Sequence, residues 1–459
     1  MLAASGSVLP APLRAAAGGA VPSTGTWVRL ADLPTNWGFP TLTRLPDGRV
    51  LAAGGRDSSG RVTTNAELYD PSTRTWRATR PMHVARDGAS ATELGVGVVL
   101  VAGGTGANGG TRELTSAEIY NPTTGSWYVT GSMNVGRGAF SLVTLATGDV
   151  LAAGGWPDTR TSYALTSAEL YNPVSRTWSF TGSMAKGRAG YMATLSNGDV
   201  LFPGGITCCG YSSIQTAERY SLTTGRWTSA GSMGVPRAQM KPITLSDGRV
   251  LVAGGDLYGI FDTTATADIY DPSTNTWSMT QPMSDARLTY AVQGLSDGQV
   301  LVATGLNDSA GSLVPSAELY QSLTGSWTAS TSVPVPAYLP SSVALADGGV
   351  LLVGGHGPTG VPLDVVQLFT PPQLPTISVT PRSKHAGASV KVTGGGYGPG
   401  AVIDIYFDRR RIALAIATDT GTLRVRVVIP PRATAGPHVM SAVERDDGIA
   451  GQDILIVKS

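Results

Sequence analysis

The chain has 459 residues, with 33 Lys and Arg against 32 Asp and Glu and only 14% charged residues. So even a balance builds no broad field for a polyanion or an anionic bilayer, which sets aside nucleic acids and membrane surfaces as partners. The 59 Gly and 30 Pro suit many short strands joined by tight turns, and the chain reads as all-β.

Residues 1–24 lack an acid, carry no basic stretch ahead of their apolar run, and are interrupted by Pro10 and Pro12. They read as a leader or the remnant of a signal segment. The expected location is secreted or extracellular, with a bacterial cell surface as one setting. No later stretch approaches the roughly 18 apolar residues that a bilayer span needs, so no membrane span is expected.

From residue 25 onward a unit repeats, "LSDGRVLVAGG…ADIYDPSTNTW…PMSDAR". Its Trp recurs at Trp27, Trp76, Trp127, Trp178, Trp227, Trp277 and Trp327, spaced by 49 to 51 residues. Glycine pairs keep step at Gly54-Gly55, Gly103-Gly104, Gly154-Gly155, Gly204-Gly205, Gly254-Gly255 and Gly354-Gly355, with Thr304-Gly305 as the exception. Tyr69, Tyr120, Tyr171, Tyr220, Tyr270 and Tyr320 do the same, and Phe369 closes the series.

Each unit reads as four strands. A semi-apolar run such as "QMKPITL" meets an Asp-Gly or Asn-Gly pair, which predicts a type I′ hairpin with positive φ at both central residues. "VLVAGG" returns, a variable loop follows, then "TADIYDP", a turn with Pro at its second position, and a strand that starts at the Trp. Four-stranded units at this period describe a β-propeller.

Gly-Gly, Glu-x-Tyr and Trp in a common phase resemble the kelch repeat, and seven copies resemble a seven-bladed propeller of the galactose oxidase kind, over about residues 25–371. The first Trp segment, "GTWVRLADLP", precedes any complete unit, and the last unit stops at "VVQLFTPP" without a Trp strand. The N-terminal strand is therefore expected to complete the last blade and close the ring, removing open edges. Residues 375–459 break the period and alternate apolar strands with Gly and Pro turns, a sandwich pattern. They resemble the immunoglobulin-like modules that follow the propeller in galactose oxidase relatives.

The resemblance implies a ligand face built from the loops after each glycine pair and from the segments that lead into each inner strand. Arg86, Arg137, Arg188, Arg237 and Arg287 share one phase in those segments, and a guanidinium ring at the channel mouth suits carboxylates or sulfates. Each unit also carries an acid on its third strand, Glu67, Glu118, Glu169, Glu218, Asp268 and Glu318, so structural pairing is the preferred reading. The seventh unit has Gln367 in place of the acid, and Tyr338 is read at the place of its arginine.

Function is expected where the units differ. Trp156 and Tyr163, Tyr211, then Tyr258 and Phe261 fall in three consecutive loops, with Asp158, Arg160, Asp256 and Asp262 among them. Trp37 joins from the segment leading into the first unit. Aromatic faces stack on the C–H faces of sugars while polar groups take the hydroxyls; packing of each loop by its own aromatics is the competing reading.

Likeness to galactose oxidase also implies a test for copper, held there by two His and two Tyr, one of each adjacent in sequence, with a Cys crosslinked to a Tyr. This chain has four His, at His83, His356, His385 and His438, and no Tyr-His pair. Copper needs convergent imidazoles, so neither copper nor another cofactor or metal is expected. The Glu-x-x-x-Asp-x-x-x-His run of kelch nitrile-specifier proteins is missing as well. His356 beside Tyr338 matches the residue types with which propeller polysaccharide lyases abstract the proton α to a uronate, and a cofactor-independent lyase is the alternative function.

Cys208 and Cys209 are adjacent and are the only cysteines. They lack zinc-site spacing and the C-x-x-C redox motif. Adjacent Cα atoms lie about 3.8 Å apart, below the usual span of about 4.4–6.8 Å, so a disulfide between them closes only with strain. A vicinal disulfide stiffening the fourth loop is the favoured reading, with free buried thiols as the alternative. Taken together, the expectation is a secreted, non-catalytic propeller that binds a glycan or protein on its loop face.

Overall fold

The computed structural model describes residues 24–34, 37–107, 112–158, 163–207, 212–257, 262–322, 324–372, 375–445 and 450–458. Seven four-stranded antiparallel sheets follow one another along the chain. Blade 1 runs, from inner to outer strand, Thr41–Arg44, Val50–Ala53, Ala66–Asp70 and Thr75–Ala78, and blades 2 to 6 keep that order. The inner strand of blade 1 touches those of both blade 2 and blade 7, so the blades form a ring around a central channel. Blade 7 takes Ser341–Ala344, Val350–Val353 and Val366–Thr370 from the end of the ring and Thr26–Arg29 from its beginning, with Trp27 opposite Phe369. The closing strand is where the repeat phase puts it.

The repeated residues are the mortar between blades. Second strands such as Val50–Ala53 and Val350–Val353 are buried at every position, because both faces pack on neighbouring blades. Leu100 and Ile119 of blade 2, for example, share a cluster with Leu142, Val150 and Tyr171 of blade 3. The Tyr hydroxyl reaches back to the preceding blade, as in Thr79 Oγ1···Tyr120 Oη at 2.9 Å and Thr130 Oγ1···Tyr171 Oη at 2.6 Å. The Trp indole does likewise, Trp127 Nε1 donating to the Arg80 carbonyl at 2.8 Å and Trp178 Nε1 to that of Gly131 at 2.8 Å. Buried Tyr and Trp need a polar partner, and in these blades the neighbouring blade supplies it, whereas Tyr69 Oη and Trp76 Nε1 of blade 1 are buried without one.

The inner hairpins differ from expectation. Gly48 has φ of 89° while Asp47 does not take positive φ, and Leu45 N–H reaches the Arg49 carbonyl as Gly48 N–H reaches that of Leu45. These bonds describe a three-residue loop that ends in a left-handed glycine, not a two-residue type I′ turn. Asp47 earns its place otherwise, accepting from Arg49 N–H at 3.1 Å.

Beyond the ring, Thr376–Thr380, Ser389–Gly395 and Thr422–Val428 form one sheet, and Ser383–His385, Val402–Phe407, Arg410–Ile416, Gly436–Glu444 and Ala450–Lys458 a second. The two share a core that includes Val390, Val392, Ile403, Ile405 and Leu455. Arg409, in the turn between two strands of the second sheet, meets Asp247 of blade 5 at 3.2 Å. Among the described residues, no helix is long and apolar enough to cross a membrane.

Candidate functional site

The five in-phase arginines do not open onto the channel mouth; all are fully buried. Arg137 shows the pattern. Its Nη1 donates to the carbonyls of Gly154 at 3.0 Å and Ser167 at 2.9 Å, and its Nη2 to Ser167 Oγ at 3.0 Å and Glu169 Oε1 at 2.9 Å. Glu169 in turn accepts from the Asn134 N–H at 2.7 Å. The pairs Arg86–Glu118, Arg188–Glu218, Arg237–Asp268 and Arg287–Glu318 repeat it, at 3.0, 2.6, 2.6 and 2.8 Å. Burial works against the charge of Arg86, Arg137, Arg188 and Arg287, and the carboxylate beside each holds it. Such a pair fixes geometry and leaves nothing for a ligand.

The seventh unit needs a correction of one residue. Gly55, Gly104, Gly155, Gly205 and Gly255 each donate N–H to the carbonyl of the next arginine, and Gly305 donates to Ala337. Ala337, not Tyr338, therefore stands at the arginine position. Gln367 replaces the acid and bonds the Val335 backbone at both ends of its amide, 2.8 and 2.9 Å. Cation and anion are lost together, as expected of groups that are costly to bury singly. Thr304, the exception among the glycine pairs, bonds Ala337 N–H and carbonyl through its Oγ1 at 2.7 and 2.8 Å. By the same register, Gly38 faces Arg56, and Trp37 takes the arginine position of blade 1.

Directly after each glycine pair comes the residue that faces the lead-in segment. Bridges join Asp87 to Thr105, Gly138 to Trp156, Ala189 to Ile206, Ala238 to Asp256, Leu288 to Leu306 and Tyr338 to His356. The ring around the loop face thus reads Arg56, Thr105, Trp156, Ile206, Asp256, Leu306, His356. Of the expected ligand residues, Tyr163 is exposed (70%), as is Asp262, while Trp156 and Asp158 are partly buried. Asp256 is a correction: its backbone pairs with Ala238 in both directions and it is 1% exposed, so it belongs to the scaffold. Arg160, Tyr211, Tyr258, Phe261 and the Cys208-Cys209 pair lie outside the described residues, as does the side chain of Trp37. A shallow cleft of about 440 Å³ opens between the loops of blades 1 and 2, lined by Arg56, Asp57, Arg61 and Thr105. Arg56 there is bound to Asp87 at 2.6 Å.

At the junction of blades 7 and 1, the His356 ring stacks on Tyr338 at 4.8 Å between centroids and meets Phe39 at 3.7 Å. Phe39 has φ of 62° and carries no signal in the repeat, which is why sequence reasoning missed it. Burial pushes the His356 pKa below its ordinary value, and its Nδ1 is buried with no hydrogen-bond partner. The imidazole is neutral near neutral pH. His83 is engaged with Glu118 at 2.8 Å, His438 with Asp408 at 2.7 Å in the C-terminal sheets, and His385 ends a C-terminal strand. No second imidazole joins His356, so the donors present do not fit copper. Among the described residues no group of three or more His, Cys, Asp or Glu could hold a metal.

Two further side chains escaped the sequence reading. Tyr191 and Lys241 each lie four residues before the leucine that opens the inner hairpin of blades 4 and 5, Leu195 and Leu245. The other blades place Thr, Ser or Ala there. A lysine among only five in the chain was the available signal.

Comparison with known proteins agrees with this architecture. The kelch motif matches residues 45–83 and 97–134. Kelch-like protein 25 of Xenopus tropicalis is 26% identical over 194 residues, 41% of this chain and 32% of that protein. Beta-scruin of Limulus polyphemus is 23% identical over 205 residues, 43% of this chain and 22% of its own length. The chain thus spans about a third or less of these relatives. Among solved structures, a fungal alcohol oxidase of the AA5 family in complex with copper superposes with a TM-score of 0.63 at 19% identity, covering 95% of this chain and 100% of that one. YjhT superposes at 0.53 with 15% identity, over 66% of this chain and 99% of its own. At such identities the likeness is one of fold. Repeat and ring make the chain a seven-bladed β-propeller in which kelch motifs are recognised.

Proposed function

We propose that the protein is a secreted recognition module, without catalytic chemistry of its own, that binds a glycan or protein ligand on the loop face. The observation that supports this most is the division of labour within the repeat. Shared charged residues are consumed in buried pairs, while the position after the glycine pair carries seven different side chains. Kelch relatives and fold neighbours support ligand or protein binding in general terms. The test is a glycan and protein array probed with the full chain and with Tyr163→Ala and Trp156→Ala. Val174→Ser, exposed at 91% in a turn on the opposite end of a blade, is the control. Loss of binding in the first two and not in the control supports the reading; equal binding by all four opposes it.

A second reading has one observation in its favour, the stacked His356 and Tyr338 rings with a neutral imidazole. A neutral imidazole is the protonation state a general base needs. Incubation with uronate polymers, followed through the ultraviolet absorbance of an unsaturated product, tests it. Product that disappears in His356→Ala would favour a cofactor-independent lyase.

A further inference from the structure

Lys241 stands out among the charged groups of the propeller. It sits at the top of the inner strand of blade 5, at the loop end of the channel, between Met240 and Pro242, which are both buried, while Lys241 itself is exposed. Met240 packs into the core between blades, and the exposed Lys241 stands two residues ahead of the innermost strand of blade 5, Ile243–Thr244, which borders the channel. It makes no ion pair or hydrogen bond with any described residue; desolvation by the surrounding walls is the sole influence on its titration, and it pulls the ammonium below the usual lysine range. The group touches water and is crowded by protein at once, as the lumen of a channel requires.

Its counterpart on the adjacent blade is aromatic and equally unspent. Tyr191 holds the same place on blade 4, is 43% exposed, and has no influence on its hydroxyl but desolvation. The rim backbone, by contrast, is taken: Thr289 N–H donates to Gln239, Leu339 N–H to Thr289, and the bridges beside them pair Ala238 with Asp256 and Leu288 with Leu306.

We propose that Lys241 and Tyr191, on the adjacent blades 5 and 4, form a subsite at the channel mouth for the carboxylate and hydroxyls of an acidic sugar. This rests on the loop-face reading and deepens it. One unshared ammonium answers one carboxylate, and the Tyr191 hydroxyl with its open aromatic face answers a polyol ring. An extended acidic peptide would look for free backbone N–H and carbonyl groups, and next to Lys241 both those of Thr289 are already paired.

The full-length protein is titrated with an oligogalacturonate, its methyl-esterified form and a glutamate-rich peptide of similar charge, using wild type, Lys241→Met, Lys241→Arg, Tyr191→Phe and Tyr163→Ala. Thermal melts establish that each variant is folded; Lys241 carries no internal bond, so Lys241→Met is expected to melt like wild type. The subsite predicts binding of the oligogalacturonate, loss of roughly tenfold or more on esterification or in Lys241→Met, and partial retention in Lys241→Arg. Equal affinity of wild type and Lys241→Met would overturn it. So would preference for the peptide, or failure of all three probes to bind wild type. If Tyr163→Ala abolishes a glycan interaction that Lys241→Met leaves intact, loop-face recognition stands and the channel subsite falls.

Discussion

Arg137 and Glu169 are each wholly buried and paired with one another. Arg137→Ala is expected to destabilise the protein by about 3–5 kcal/mol, because it strands a buried carboxylate. The double change Arg137→Ala with Glu169→Gln reproduces what blade 7 already carries at Ala337 and Gln367. It is expected to cost clearly less than the two single changes added together. Denaturant unfolding of the four proteins measures the coupling; strict additivity would refute it. This pairing is readable from sequence, since an acid accompanies every arginine. The one-residue shift at Ala337 is not, because Pro334 and Pro336 disguise the segment and only the Gly305 bond reveals its register. Titration at His438 has the opposite sign from that at His356. Burial opposes charge on His438, but its hydrogen bonds to Asp408 and the Thr434 carbonyl outweigh burial and raise its pKa above the ordinary 6.5. The imidazolium therefore adds stability that is complete below 6.5 and is lost as pH rises through the folded value. His438→Gln should lower stability in mild acid by no more than about 1 kcal/mol after solvent screening, seen as a lower melting temperature, and leave it unchanged at alkaline pH. His356, lowered by burial, favours the fold above the ordinary value and opposes it as pH falls through 6.5.

The hairpins, glycine pairs and closing strand belong to the next scale. The second glycine of each pair is fixed by close approach: a Cβ on Gly155 would lie 2.6 Å from the Gly138 carbonyl, with φ already at 86°. Its phase is readable because no side chain fits. The hairpin type is misread because Asp-Gly serves both turn families, and the extra loop residue shows only in the bonding. Loop residues are the least legible. Asp256 looks like a ligand group in sequence, yet its backbone is clamped by Ala238, a partner that the alignment of repeats does not announce. The closing strand offers a direct test. Deleting residues 1–31 strips Thr26–Arg29 from blade 7, exposes the edge of Val366–Thr370 and removes Trp27 from Phe369, 5.1 Å away. A lower melting temperature and concentration-dependent aggregation are expected, read by calorimetry and light scattering. An unchanged melt would contradict closure by this strand.

Across the whole molecule, seven blades and the C-terminal sheets are held in one arrangement in which Arg409 reaches Asp247 and, at 3.9 Å, Asp271. Arg409→Glu sets like charges against both and is expected to loosen the C-terminal sheets from blade 5, seen as a larger radius of gyration in solution scattering. The number of blades was legible because each unit must bury its faces on its neighbours, which forces the same residues into every copy. The ligand was not, because recognition uses the positions at which copies are free to differ. The most direct measurement is equilibrium binding of an array-selected ligand to the full chain, with recovery of that ligand for mass analysis. Recognition predicts saturable binding that Tyr163→Ala and Trp156→Ala weaken by roughly tenfold or more, and a ligand recovered at its original mass. Binding indifferent to both substitutions, or a ligand recovered as product, would contradict it.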